Sequence, residues 1–175
     1  DQLRLLQPGQ SMALPRFDKA EDDRADPAGW PVVNGPIDVI VLEGWCLGAG
    51  PQPPASLSAA VNALERVADA GGIWRRYVNE QLAGSYASLF ERLDHLVFLE
   101  APGFDAVLSW RLEQEHRLAE RGRRAMSDAE VGRFVQHFER LTRAMLAWTP
   151  PRADVVVRFD ERHACTGLDW RLPAT

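Results

Sequence analysis

Ile37-Asp38-Val39-Ile40-Val41-Leu42-Glu43-Gly44-Trp45 is a short β-branched apolar run that ends in a carboxylate, with Gly35-Pro36 before it and Gly44 after it. Its β-propensity is high and its apolar residues do not alternate with polar ones. Residues 38–42 are therefore predicted to form a strand buried on both faces, as in a parallel sheet. In such sheets ligands bind beyond the carboxyl ends of the strands, which is where Glu43 falls. A carboxylate there holds Mg2+ through water or orients an acceptor hydroxyl, and phosphoryl transfer requires both. The plainer reading is a strand-end acid bonded to a loop amide. No G-x-x-x-x-G-K-[ST] occurs in the 175 residues, so the backbone amides and lysine that cradle ATP phosphates are not encoded in them.

Around this run, strands are predicted to alternate with helices. Residues 1–36 are rich in Pro, Gly and Asp and read as loop around a short strand near 12–14. A rigid loop at 48–54 precedes a predicted helix over 57–70, broken at Gly71-Gly72. Val78, Leu82, Leu89 and Leu93 keep helical spacing over 74–92, with Gly84 as a weak point. Residues 96–99 form a second parallel-type strand. A helix over 104–121 carries Val107, Leu108, Leu112 and Leu118 on one line, with Glu113 and Arg117 as an i,i+4 pair. Ser127-Asp128-Ala129-Glu130 is a capping box, and Val131, Phe134, Val135, Phe138, Leu141, Met145 and Trp148 form the buried stripe of the helix it starts. Pro150-Pro151 stops that helix, and 154–159 is a third strand. The pattern predicts an α/β fold, a parallel sheet flanked by helices, as a single domain over 1–175.

Composition narrows the function classes. A 46% hydrophobic and 26% charged balance belongs to an ordinary soluble globular chain, long enough for one core. Its net charge of −5 repels polyanions, so nucleic acid is not an expected partner. The longest apolar runs fall well short of the roughly 20 residues that cross a bilayer, and no secretory segment is present, so no membrane partner is expected. Cys46 and Cys165 lie far apart with no C-x-x-C, as suits free thiols in a reducing cytoplasm. A chain that starts at Asp1 fits a fragment, a processed product or an incomplete record alike.

Three further blocks carry candidate chemistry, each with a plain alternative. Pro15-Arg16-Phe17-Asp18-Lys19 through Arg24 packs both charge signs into a short segment, as where cations kept oriented by acids hold an anionic small molecule; it also reads as a solvated charge run. Trp110-Arg111-Leu112-Glu113-Gln114-Glu115-His116-Arg117 is dense in hydrogen-bonding side chains, and Arg121, Arg123 and Arg124 follow beside Gly122, a hinge for a lid that closes on phosphate. The alternative there is a solvated helix laced with ion pairs, with His116 a surface or capping histidine. Trp74-Arg75-Arg76-Tyr77-Val78-Asn79 walls a substrate pocket or packs a core. No Ser/His/Asp set, zinc constellation or Rossmann fingerprint competes.

Taken in order, Pro15-Arg16-Phe17-Asp18-Lys19, Glu43-Gly44-Trp45 with Gly48, Leu64-Glu65-Arg66, Trp74-Arg75-Arg76-Tyr77-Val78-Asn79, Trp110-Arg111-Leu112-Glu113-Gln114-Glu115, Met126-Ser127-Asp128 and Phe138-Glu139-Arg140-Leu141-Thr142-Arg143 resemble the D-glycerate 3-kinase family and its bacterial kinase relatives. The resemblance implies a P-loop kinase-like fold, with ATP and Mg2+ as cofactors. It also implies transfer of the γ-phosphoryl group to a small-molecule hydroxyl, with D-glycerate or a similar hydroxy acid as the leading acceptor. A pantothenate-like or nucleoside-like acceptor, or a non-catalytic binding protein on the same fold, stays open. By the resemblance, Glu43 is the acid of the second Walker strand, a catalytic group and Mg2+ ligand, directly or through water. Asp18, Lys19 and Arg24 belong to the acceptor loop over about 15–30. Arg111, Gln114 and Arg117 belong to the phosphate lid over about 104–126, with Arg111 also catalytic, and Trp74, Arg76 and Asn79 form a pocket wall. The chain departs from the family in lacking the first strand, the phosphate loop and an acidic motif that precede these blocks, and in the less acidic Glu65-Arg66-Val67-Ala68-Asp69. The 175 residues alone are therefore expected to bind Mg-ATP poorly and turn over negligibly. A bared sheet flank is expected to favour a homodimer.

Overall fold

In the computed structural model, which describes residues 6–18, 21 and 23–171, the chain divides into two units, Asp1–Glu43 and Gly44–Thr175. In the first, β1 (Ser11–Ala13) pairs antiparallel with β4 (Val32–Asn34), Met12 opposite Val33. Between them, β2 (Phe17–Asp18) and β3 (Asp23–Arg24) make a small hairpin with Phe17 opposite Arg24 and Asp18 opposite Asp23. The Asp26 carboxylate caps the turn that follows by accepting the Ala28 N–H at 2.8 Å.

Residues 37–43 correct the sequence expectation. They form no strand, and Val39, Ile40, Val41 and Leu42 are 77, 46, 84 and 48% exposed rather than buried. Propensity favours an extended backbone, but a strand exists only where a neighbour completes its hydrogen bonds. None of the described strands pairs with this run.

The second unit holds α1 (Ala63–Ala68), α2 (Ile73–Ala83), α3 (Ser85–Phe90), β5 (Val97–Glu100), α4 (Phe104–Glu120), α5 (Asp128–Trp148), β6 (Val155–Phe159) and β7 (Cys165–Trp170). β5 and β6 are parallel with Val97 opposite Val155, as expected, while β7 returns antiparallel to β6, making the sheet mixed. The crossover from β5 to β6 consists of α4 and α5. The single helices predicted over 57–70 and 74–92 are each divided. Pro54–Leu57 is a separate 3-10 turn ahead of α1, and the helical line breaks at Gly84 between α2 and α3.

α5 is the spine of this unit. Ser127 and Glu130 form the predicted capping box, satisfying backbone donors that the helix start leaves free. Val131, Val135 and Met145 of its stripe are buried, whereas Trp148 stays 42% exposed. Met145 joins Leu82, Phe98 and Val156 in one core, and Val131 and Val135 join Phe104 in a second that takes in Val107, Leu108 and Leu112 of α4. No helix among the described residues is long and apolar enough to cross a membrane.

Candidate functional site

The polar face of α4 builds the site. Arg111, Gln114 and Arg117 recur at three-residue intervals and Arg121 follows the last by four, spacings that stack side chains on one helix face. All four line a cavity of about 560 Å3 whose other walls include Trp45, Trp110 and His163. Arg111 Nη2 lies 2.6 Å from Glu115, a carboxylate only 4% exposed. The same carboxylate accepts the Met126 N–H at 2.7 Å, and the Arg111 guanidinium sits 5.5 Å from the Phe134 ring centroid. Arg111 also donates to Gln114 and Arg117 to Glu113.

Aromatic groups frame these cations. Trp110 stacks on His163 with centroids 4.6 Å apart and donates through its indole N–H to Glu161 O at 2.8 Å. His163 is placed by the β6–β7 turn, where its own φ is +64° and the Asp160 carboxylate accepts the Arg162 and Ala164 N–H groups. Trp45 stacks on Phe138 at 4.4 Å and donates to Thr142 Oγ1 at 3.0 Å. Arg111, Arg117 and Arg121 against Glu113 and the Glu115 paired with Arg111 leave a net positive charge at the cavity wall, and planar guanidiniums suit the oxygens of phosphate.

At the C-terminal end of α4, Gly122 takes φ +65°. Gly122 N–H donates to Ala119 O and Arg123 N–H to Leu118 O, the paired bonds of a Schellman end that needs a left-handed residue. His116 bonds Asp128 across 2.7 Å, joining α4 to the start of α5. It is exposed and lies outside the cavity wall.

Trp74 and Asn79 line a second cavity of about 540 Å3, between α1, α2 and α5. Arg76 does not line it; its guanidinium donates to Gly71 O at 2.7 Å. Here Arg140 pairs with Glu65 and Arg75 with Asp69. Burial pushes both carboxyls upward, but their bonds to arginine and to backbone N–H groups outweigh it, leaving Glu65 and Asp69 below the ordinary carboxylate range. Burial raises the Cys46 thiol.

Asp18 and Arg24 come together on the β2–β3 hairpin, and Lys19 lies outside the described residues. Glu43 is solvent-exposed at the end of the first unit. Sequence reasoning missed Glu115 as the partner of Arg111, and missed Trp45 and His163 as cavity walls. Glu115 carried a usable signal, an acid four residues after an arginine on a helix. His163 carried none, because its place depends on a hairpin the sequence did not announce.

No protein-family profile matches the chain. It is 33% identical over 139 residues to "D-glycerate 3-kinase, chloroplastic" of Arabidopsis thaliana, covering 77% of this chain and 28% of that protein. Over 134 residues it is 34% identical to "Uncharacterized kinase mug58" of Schizosaccharomyces pombe, covering 74% of this chain and 47% of the relative. The chain thus spans less than half the length of these curated relatives. Among solved structures, a D-glycerate 3-kinase from Cryptococcus neoformans superposes with a TM-score of 0.70 at 25% identity, over 92% of this chain and 60% of that one.

Proposed function

This chain belongs to the D-glycerate 3-kinase family, and from that premise we propose that it forms the lid and acceptor-side portion of an ATP-dependent kinase that phosphorylates a hydroxyl of a small hydroxy acid, with D-glycerate the leading acceptor. The observation that carries this reading is the convergence of Arg111, Gln114, Arg117 and Arg121 on one cavity. Guanidiniums there bind the nucleotide phosphates and offset the charge that develops on the transferred group. The buried Glu115 keeps Arg111 aimed without filling the cavity itself.

Glu43 fits a Mg2+ ligand by its chemistry. A single solvent-facing carboxylate suits an ion that keeps several waters and takes its remaining oxygens from phosphate. When bound, the ion neutralises phosphate charge. No group of three or more His, Cys, Asp or Glu that could hold a metal ion is found among the described residues. On the acceptor side, Lys19 and Arg24 pair with the carboxylate of the hydroxy acid, while Asp18 orients its hydroxyl.

The test is ATP-dependent phosphorylation by the whole gene product, with D-glycerate set against glycerol, pantothenate and uridine. Turnover of glycerate is expected, and Arg111→Ala should lower kcat by about 100-fold or more. Turnover confined to another alcohol reassigns the acceptor. A folded gene product that transfers no phosphate to any of them overturns the reading.

A further inference from the structure

The cavity between α1, α2 and α5 has the opposite chemistry to the cationic one. Glu65, Asp69, Arg75 and Arg140 on its wall sum to zero charge. All five N–H groups of Arg140 are already used: on Glu65 at 2.7 and 2.6 Å, on Ala59 O at 2.6 Å, on Ser56 O at 2.8 Å and on Gln52 Oε1 at 3.3 Å. Arg75 donates from Nε to Leu57 O at 2.6 Å and from Nη1 to the Asp69 backbone oxygen at 2.9 Å. The Asn79 amide closes a two-way bond with the Gln52 backbone at 2.6 and 3.0 Å.

An anion entering this space gives up its hydration and meets an Arg140 with all five N–H groups in use and an Arg75 already serving Leu57, Ser58 and Asp69, so most of its desolvation goes uncompensated. Most of what the walls still offer is apolar, from Leu57, Leu64, Val78, Phe138 and Leu141 with the Trp74 ring beside them, and His137 and the Cys46 thiol add weaker polar groups. The volume lies in the range of cavities that hold a compact organic ligand. Trp74 is 68% exposed and meets Tyr77 edge-on, leaving aromatic surface in water that an apolar ligand would cover.

We infer that this cavity is a ligand site for a neutral small molecule with an apolar, ring-sized body, and that it excludes carboxylates and phosphates. The site does not rest on the phosphotransfer reading, because its ligand is neither the nucleotide nor a hydroxy acid, and it takes Trp74 and Asn79 away from the acceptor pocket that the family resemblance implies for them.

The test titrates the 175-residue chain with 2-naphthol and with 2-naphthoate, which share a ring system and differ in charge, following Trp fluorescence and 1H–15N chemical shifts without nucleotide. Naphthol should bind with shifts confined to α1, α2 and α5, and naphthoate at least about tenfold more weakly, the size of one lost compensation for a buried charge. Val78→Trp and Ala68→Trp, both at exposed wall positions, should fill the space and abolish naphthol binding while circular dichroism stays native. Equal binding of the two compounds, binding that survives either tryptophan in a folded variant, or no naphthol binding at all overturns the inference. None of these results measures phosphotransfer, and a failed kinase assay leaves them standing.

Discussion

Glu115 holds Arg111 by one carboxylate oxygen at 2.6 Å and the backbone N–H of Met126 by the other at 2.7 Å. One buried acid thereby fixes a cavity-lining guanidinium and the approach to α5 at once. Glu115→Gln keeps the shape but has one acceptor oxygen, so one of the two bonds is lost and the other loses its charge, whereas Glu115→Ala leaves Met126 N–H and Arg111 both without their acceptor. Hydrogen bonds to a charged group contribute about 1.5–3 kcal/mol each. Urea unfolding should therefore show Glu115→Ala destabilised by at least about 1.5 kcal/mol and Glu115→Gln by less; equal, negligible losses would show that the pair orients nothing.

Anion binding should follow the cations of α4. Inorganic tripolyphosphate titrated calorimetrically into the 175-residue chain should bind detectably at low ionic strength and weaken steeply with added salt, since screening acts most on exposed charge. Both arginines are ion-paired, Arg111 with Glu115 and Arg117 with Glu113, but Arg111 is 23% exposed and Arg117 64%, so solvent screens Arg111 less and Arg111→Ala should weaken binding more. Mg-ATP should bind this chain more weakly than micromolar, for want of a G-x-x-x-x-G-K-[ST] segment in its sequence.

Acid should loosen the α1–α2–α5 region. Glu65 and Asp69 titrate below their ordinary range in the folded chain, so the unfolded chain binds more protons as the pH falls through the ordinary carboxylate values of about 4. Their stabilisation is complete above those values and is lost as pH drops towards the depressed ones. Thermal melts should be flat from neutrality to about pH 5 and fall below it. Glu65→Gln should lower the neutral-pH melting temperature and flatten that acid limb; an unchanged limb would assign the acid sensitivity elsewhere.

Gly122→Ala isolates backbone conformation from packing. No atom lies within 4 Å of the Cβ it would add, yet φ is +65°, a region that costs an L side chain roughly 1–2 kcal/mol. Chemical denaturation should show a loss of that size. No loss would mean that the α4 end rearranges, and the chemical shifts of Arg121 and Arg123 would then move.

Much of the second unit was legible in the sequence because its signals are local. The Ser127–Glu130 box, the α5 stripe and the parallel-type runs that became β5 and β6 each depend on residues a few positions apart. Arg111, Gln114 and Arg117 were named from the family resemblance, and their shared cavity wall follows from helical spacing, which puts them on one face wherever the helix goes. The run at 37–43 misled because β-propensity describes what a backbone tolerates, while strand formation also needs a partner. β7 escaped notice because its Cys165-Thr166-Gly167-Leu168-Asp169-Trp170 composition carries no strong strand pattern, and pairing with β6 supplied its order.

By itself, the sequence determined the kinase kinship, the helices with their caps, and which arginines face one way along α4, all of which follow from the order of neighbouring residues. Only the tertiary structure decided that Arg140 neutralises Glu65 across 75 positions, that Trp45 and His163 close the cationic cavity, and that Trp74 and Asn79 wall a neutral one. The reason is electrostatic as much as geometric. Whether a charge is available to a ligand depends on which opposite charge folding brings beside it, and that partner lies beyond the reach of local pattern.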